Sequence, residues 1–248
     1  MASHFSSIGM PVNTDKDMAH LLKKASKYAD KIFCKYGYYL NWKSKTGAEL
    51  WIHIDSNGKC IGVNPFYNGE SIFSAGIIKK IEREEDNDFE GAFYGWADPQ
   101  DNNPENGLYP FNFDCVNLAV NEGLFLPCIL NIKLSAFANE IDIFLNESDY
   151  RSNQKEEPHF ASKSFIPSGV FPPGTNSEAI FTGTILNYKL FRNELTGKKY
   201  YWIKTETLGG IIDVVADPEL IKKKLQINGI ITGLFYLSGK IKRIDLFK

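Results

Sequence analysis

Several supports of common chemistries are missing from this chain. Four histidines in 248 residues leave few groups for acid or base work near neutral pH. The four cysteines, Cys34, Cys60, Cys115 and Cys128, show no C-x-x-C spacing and lie in apolar or strand-like contexts. They read as free thiols rather than a zinc site or disulfide framework. There is no G-x-x-x-x-G-K-[ST], no G-x-G-x-x-G after a strand, no G-x-S-x-G and no H-E-x-x-H, so dinucleotide, kinase and hydrolase readings lose their usual anchors. No apolar run approaches the roughly 18 residues of a membrane span, and Met1-Ala-Ser-His-Phe has neither a basic nor an apolar leader region. The expectation is a cytoplasmic protein with no membrane partner, no cofactor and no bound metal.

The chain has 43% hydrophobic residues, enough for a sizeable core. Its formal charge of −2 hides an asymmetry. Residues 179–248 carry 12 Lys and Arg against 6 Asp and Glu, whereas residues 1–178 are acidic. A basic half can meet a polyanion or dock on its own acidic half, and the second needs no partner.

Punctuation suggests an α+β, β-dominated chain in three parts: a β-rich domain over 1–146, a strap over 147–177 rich in Pro, Ser and Asn, and a small barrel over 178–248. In the first part a strand from His4 to Val12 leads through Asn13-Thr14-Asp15 into a helix with Met18, Leu21, Leu22, Ala25 and Ala29 at helical spacing. Strands follow over Lys31–Lys35, Tyr36–Lys43 and Ala48–Ile54, and Asp55-Ser56-Asn57-Gly58 turns back into a further strand. Ser71–Ile81, Phe111–Val120, Leu124–Phe137 and Glu140–Leu145 complete the domain.

Ile8-Gly9-Met10-Pro11-Val12 and Ala48-Glu49-Leu50-Trp51 resemble the βαβββ module of the vicinal oxygen chelate superfamily, over residues 4–55. The resemblance implies a divalent-metal enzyme with a His on the first strand and a Glu on the fourth. Glu49 stands at the Glu position, but Ser7 stands where the His belongs. His53 shares the Glu49 face of its strand, about 13 Å away at roughly 3.3 Å per residue, too far for the two to ligate one ion.

From Glu82 to Gly107 there are nine carboxylates against Arg83 alone, interleaved with Phe89, Phe93, Tyr94, Trp96 and Tyr109. The stretch reads as a long surface excursion pinned by aromatic anchors, and as a candidate partner-binding surface. The EF-hand pattern fails, because Asn106 and Asn112 occupy the positions that need Gly and Glu.

From Glu178 onward the order is a long strand to Phe191, a hairpin over Tyr200–Leu208 and Ile211–Ala216 through Gly209-Gly210, a helix opened by Asp217-Pro218-Glu219, and strands over Ile230–Leu237 and Lys240–Phe247. This order resembles a five-stranded OB-fold. On its second strand Tyr200, Trp202 and Lys204 share one face, flanked in sequence by Arg192, Lys198 and Lys199. That is the make-up of a single-strand stacking platform, or of a face buried in the fold.

The sequence therefore points to a binding or interaction protein with a protein or small-molecule partner. A metal-dependent enzyme at Glu49 and a nucleic-acid binder at Tyr200, Trp202 and Lys204 stand as alternatives.

Overall fold

A computed structural model describes residues 4–154, 159–171 and 174–242. The chain is β-dominated, with one large mixed sheet and one smaller antiparallel sheet. No helix among the described residues is long and apolar enough to cross a membrane.

Helix α1 spans Asp15–Ala25 and opens with a reciprocal cap, the Thr14 hydroxyl accepting from Asp17 N and the Asp17 carboxylate from the Thr14 backbone. It buries Leu21 and Ala25. The first strand expected before it is absent: Ser6–Ile8 form a 3-10 turn. The reason is tertiary. Ile8 and Met10 are buried, and the carbonyls of Ile8 and Gly9 accept from the Asn193 amide (2.9 Å) and the Thr196 hydroxyl (2.5 Å). The segment is thus held against a distant turn rather than a strand neighbour.

Strands β1 (Asp30–Cys34), β2 (Gly37–Lys43), β3 (Ala48–Asp55) and β4 (Cys60–Tyr67) form the small sheet in sequential order, close to the expected bounds. The hairpin between β3 and β4 turns at Asn57-Gly58, where Gly58 takes φ +81° and the Asp55 carboxylate accepts from Asn57 N and Lys59 N.

The large sheet comprises β5 (Phe73–Ile81), β6 (Ala92–Ala97), β7 (Pro110–Cys115), β8 (Cys128–Phe144), β9 (Ser164–Ile166), β10 (Glu178–Arg192), β11 (Lys199–Thr207), β12 (Gly210–Ala216) and β13 (Ile230–Ile241). A short helix α2 (Glu147–Asn153) follows β8. Strands β8 and β13 pair antiparallel over twelve register positions, interrupted by one bulge between Leu234 and Phe235. Two five-strand circuits close on this pair. One runs β5-β6-β7-β13-β8, with β7 parallel to β13. The other runs β10-β11-β12-β8-β13, with β12 parallel to β8. The two repeat one connectivity, and each borrows its fifth strand from the other.

Several expectations for the second half change accordingly. The circuit formed by β10 to β13 takes its fifth strand from β8, which lies before residue 147, so hydrogen bonding crosses the expected 147–177 boundary. Strand β13 runs straight through Ser238-Gly239, because those residues pair with Asp114 and Cys115 on one side and Ser135 and Leu134 on the other. A separate strand over Lys240–Phe247 is not formed at its start, and residues 243–248 lie outside the described part. The helix after Asp217 is one 3-10 turn, Pro218–Leu220. Strand β6 lies inside the acidic stretch that reads as surface excursion. Ala92, Phe93, Gly95 and Ala97 are buried between β5 and β7.

Strand periodicity sorts the faces of β13. Ile231, Phe235, Leu237 and Ile241 enter the main core with Phe111, Phe113, Phe181 and Leu134. Tyr236, Ser238 and Lys240 alternate with them and face the small sheet. One side of that sheet, with Trp42, Leu50 and Ile52, packs on Phe137, Tyr200, Trp202 and Val215. The other carries Tyr39, Asn41, Glu49, Trp51 and His53 and is also buried.

The shared pair gives a direct test. A Cβ at Gly233 would sit 2.1 Å from the Glu140 carbonyl oxygen across the β8–β13 ladder. Gly233→Ala is expected to cost on the order of 2 kcal/mol, read as a lower denaturation midpoint at unchanged slope. A midpoint equal to that of the unsubstituted protein would contradict the pairing.

Candidate functional site

Tyr200, Trp202 and Lys204 lie on β11 as expected, but the two aromatic rings are buried. Tyr200 donates its hydroxyl to Thr46 Oγ1 (2.9 Å), and the Trp202 indole donates to Asp213 Oδ1 (2.7 Å). The same carboxylate accepts from Ser71 N (2.9 Å). These rings join the two sheets and offer no open face to a base. Lys204 is half-buried and stands in register with Asp213.

Glu49, 2% exposed, accepts from Lys240 Nζ through both oxygens (2.8 and 3.0 Å) and from the Trp51 indole (2.8 Å). Burial lowers the Lys240 ammonium, against the Glu49 charge. Among the described residues no group of three His, Cys, Asp or Glu is arranged to hold a metal ion. His53 is fully buried, stacked on Phe89 (5.3 Å, 8°) and edge-on to Tyr39, and neither ring nitrogen has a hydrogen-bond partner among the described residues.

His53 stands close to Glu90, which lines a polar cavity. Its Nδ1 lies 3.6 Å from Glu90 Oε1. Gly62, opposite His53 in register, leaves the space: a Cβ there would meet His53 Nδ1 at 2.6 Å, the Asn87 amide at 3.0 Å and Glu90 Oε1 at 3.1 Å. Glu90 accepts from the Asn87 amide (2.8 Å). It then opens onto a cavity of about 190 Å³ lined also by Asn64, Asp86, Asp114, Tyr236 and Ser238. The walls come from β4, the 82–91 segment, the end of β7 and the outward face of β13.

Its carboxylates differ. Asp114 is saturated: it accepts from Arg83 Nη1 (3.2 Å) and Nη2 (2.8 Å), Ser177 Oγ (2.5 Å) and Tyr236 OH (2.7 Å). Burial, reinforced by the Asp114 charge, pushes the Tyr236 phenol well above its ordinary range. Asp86 sees Arg83 Nη1 only at 3.9 Å, and its Oδ2 is buried with no partner among the described residues. Burial raises the Asp86 carboxyl, with Asp114 and Glu85 adding to the shift and Arg83 and Lys80 opposing it. Burial raises Glu90 too, helped by Asp86 and Asp114 and opposed by hydrogen bonds from Asn87 and Asn64. In both, burial disfavours the ionised form by more than the nearby cations and hydrogen-bond donors offset.

Asp86 and Glu90 belong to the acidic stretch singled out from sequence, but as an inner wall rather than an outer surface. Asp114 and Tyr236 are 122 residues apart in sequence and meet because β7 pairs with β13. A carboxylate amid Phe111, Phe113 and Cys115 was the available signal for Asp114.

Burial depresses His53 from 6.5 to about 4. The unfolded chain then binds a proton that the fold excludes. Stability from this group is complete above pH 6.5 and is lost as pH falls toward 4. His53→Phe, which keeps a ring on Phe89, is expected to remove this component, on the order of 3 kcal/mol across the window. Urea midpoints of both proteins at pH 7 and pH 4.5 test it, and equal acid losses would contradict a neutral buried imidazole. In comparisons with known proteins, the chain matches no family model, no curated protein and no solved structure.

Proposed function

We propose that this is a binding protein whose acidic cavity takes a compact cationic group, a primary ammonium or a guanidinium. The carrying observation is the pair Asp86 and Glu90, two carboxylates raised by burial on a polar cavity in which Arg83 gives its guanidinium fork to Asp114 and reaches Asp86 only at 3.9 Å. A bound cation supplies the missing charge, and charge-assisted hydrogen bonds of this kind contribute about 1.5–3 kcal/mol each. The volume, near that of a cavity that holds one benzene-sized molecule, suits the end of an aminoalkyl or guanidinoalkyl chain. The cavity faces are fixed by strands on three sides, so the site is largely pre-formed.

The β8 and β10–β13 circuit is OB-like in having a parallel contact between its third and fifth members, β12 and β8. The four unbonded thiols support a cytoplasmic setting. The metal-enzyme alternative has less support, since Lys240 occupies both oxygens of Glu49. The nucleic-acid alternative has less because Tyr200 and Trp202 are buried.

Calorimetric titration of the intact protein with agmatine and with n-butylamine at pH 7.5 tests the proposal. One site is expected, weakened at least about tenfold by Asp86→Asn or Glu90→Gln. Both variants should remain folded, since each removes a buried carboxylate that the fold disfavours in its charged form. Affinity should fall as pH drops through the raised carboxyl range, because the cation binds the ionised forms. Absence of binding, or binding untouched by both variants, would overturn the proposal.

A further inference from the structure

The segment that joins β7 to β8 passes through a 3-10 turn, Leu118–Val120, and turns again directly after it. Asn121 N donates to the Leu118 carbonyl (2.8 Å) and Leu124 N to the Asn121 carbonyl (3.0 Å). The Asn121 side-chain amide fastens the turn by donating to the Asn117 carbonyl (2.9 Å). Beyond it Leu124 and Leu126 pack against the main core, and Phe125 between them points outward at 86% exposure. No other large apolar side chain among the described residues is as exposed. A single exposed Phe is ordinary on a protein surface. What distinguishes Phe125 is the cleft beside it.

That cleft holds about 110 Å³, the scale of one aromatic ring. Phe93 and Leu118, both buried, join Leu124 and Leu126 of the loop itself to give it an apolar lining. The charged groups on it divide into committed and free. Glu122 accepts from Lys35 Nζ (3.1 Å) and from the Tyr36 hydroxyl. Lys80 and Asp88, both exposed, also line the cleft, and neither side chain has a hydrogen-bond or ion-pair partner among the described residues. One free cation, one free anion, an apolar hole and an apolar knob thus share a single face.

A foreign partner that filled the cleft alone would leave Phe125 in water. A second copy of this chain covers both at once, because a two-fold axis sets each knob opposite the other's hole and each charge opposite its complement.

We propose that this face is a self-association surface: two copies meet about a two-fold axis, each seating Phe125 in the other's cleft, with Lys80 of each copy facing Asp88 of the other. Aromatic side chains that enter a partner's pocket carry much of the affinity of an interface. The exposed charge pairs set register more than strength, and salt screens them. The cleft shares no lining residue with the cation cavity, so the proposal stands independently of what that cavity binds.

Sedimentation velocity of the intact protein at low ionic strength, from about 1 µM to about 1 mM, tests the proposal. A monomer–dimer equilibrium is expected, weakened at least about tenfold by Phe125→Ser. Phe125 belongs to none of the buried clusters, so that variant should keep the near-ultraviolet circular dichroism of the unsubstituted protein. The charges supply a readout that a merely structural effect would not imitate. Lys80→Glu alone and Asp88→Lys alone each set like charges opposite one another and should weaken self-association about fivefold or more. Mixing these two variants should restore a dimer of one copy of each, because both charge pairs reform across the axis. A chain that stays monomeric over the whole range, or a dimer indifferent to Phe125→Ser, would overturn the proposal. So would charge variants whose mixture associates no better than either alone. In a strictly monomeric chain, uptake of the apolar dye anilinonaphthalene sulfonate that Lys80→Glu weakens would assign the cleft to a small amphipathic ligand instead.

Discussion

The antiparallel ladder between β8 and β13 is the constraint on which the rest of the molecule depends. Both five-strand circuits close through it, so neither can form without a strand from the other half of the chain. Its inner face builds the main core from Leu134, Ala136, Phe235 and Leu237. Its outer face carries Ser135, Tyr236, Ser238 and Lys240 toward the small sheet. Because strand side chains alternate strictly, one register fixes both sets at once. A slip of one residue would send Tyr236 and Lys240 into the apolar core.

That outer face explains why the contact between the sheets is polar in one zone and apolar in another. Over β11 and β12, Trp202 and Val215 meet Trp42 and Leu50, and area burial dominates. On the opposite face of the small sheet Glu49 meets β13 through Lys240, and the same face buries Asn41 and His53. Glu49 is compensated by Lys240 and Trp51, but both Asn41 amide atoms and both His53 nitrogens lack partners among the described residues. A fold selected for stability alone would place apolar residues there. The stability comes from the apolar zone and the main core.

Legibility in the sequence followed the local signals. Strands β2 to β4 were readable because Asn57-Gly58 turns and alternating residues are short-range features. Strand β6 was not, since Ala92-Phe93-Tyr94-Gly95-Trp96-Ala97 is apolar on both faces and carries carboxylates at either side. Strand β8 reads as two pieces because its alternation breaks at the bulge beside Asn139. The same limit applied to function. Glu49, His53, Tyr200 and Trp202 stood out by type, yet three of them are held by internal hydrogen bonds, and His53 touches the cavity wall only through Glu90, 3.6 Å away. Asp86 and Glu90 were visible as charge but not as interior, and Asp114 with Tyr236 required a parallel pairing across 122 residues that no local pattern encodes.

Asp86 and Glu90 are held in the fold with their ionised forms disfavoured by burial beyond what their surroundings offset. Carboxyl-carbon NMR titration of the two side chains, with and without guanidinium chloride at a few millimolar, reads this directly. Midpoints above the ordinary Asp and Glu ranges in the free protein, both moving down with guanidinium, are the expected result. Ordinary midpoints in the free protein, or raised midpoints that guanidinium leaves in place, would contradict the account.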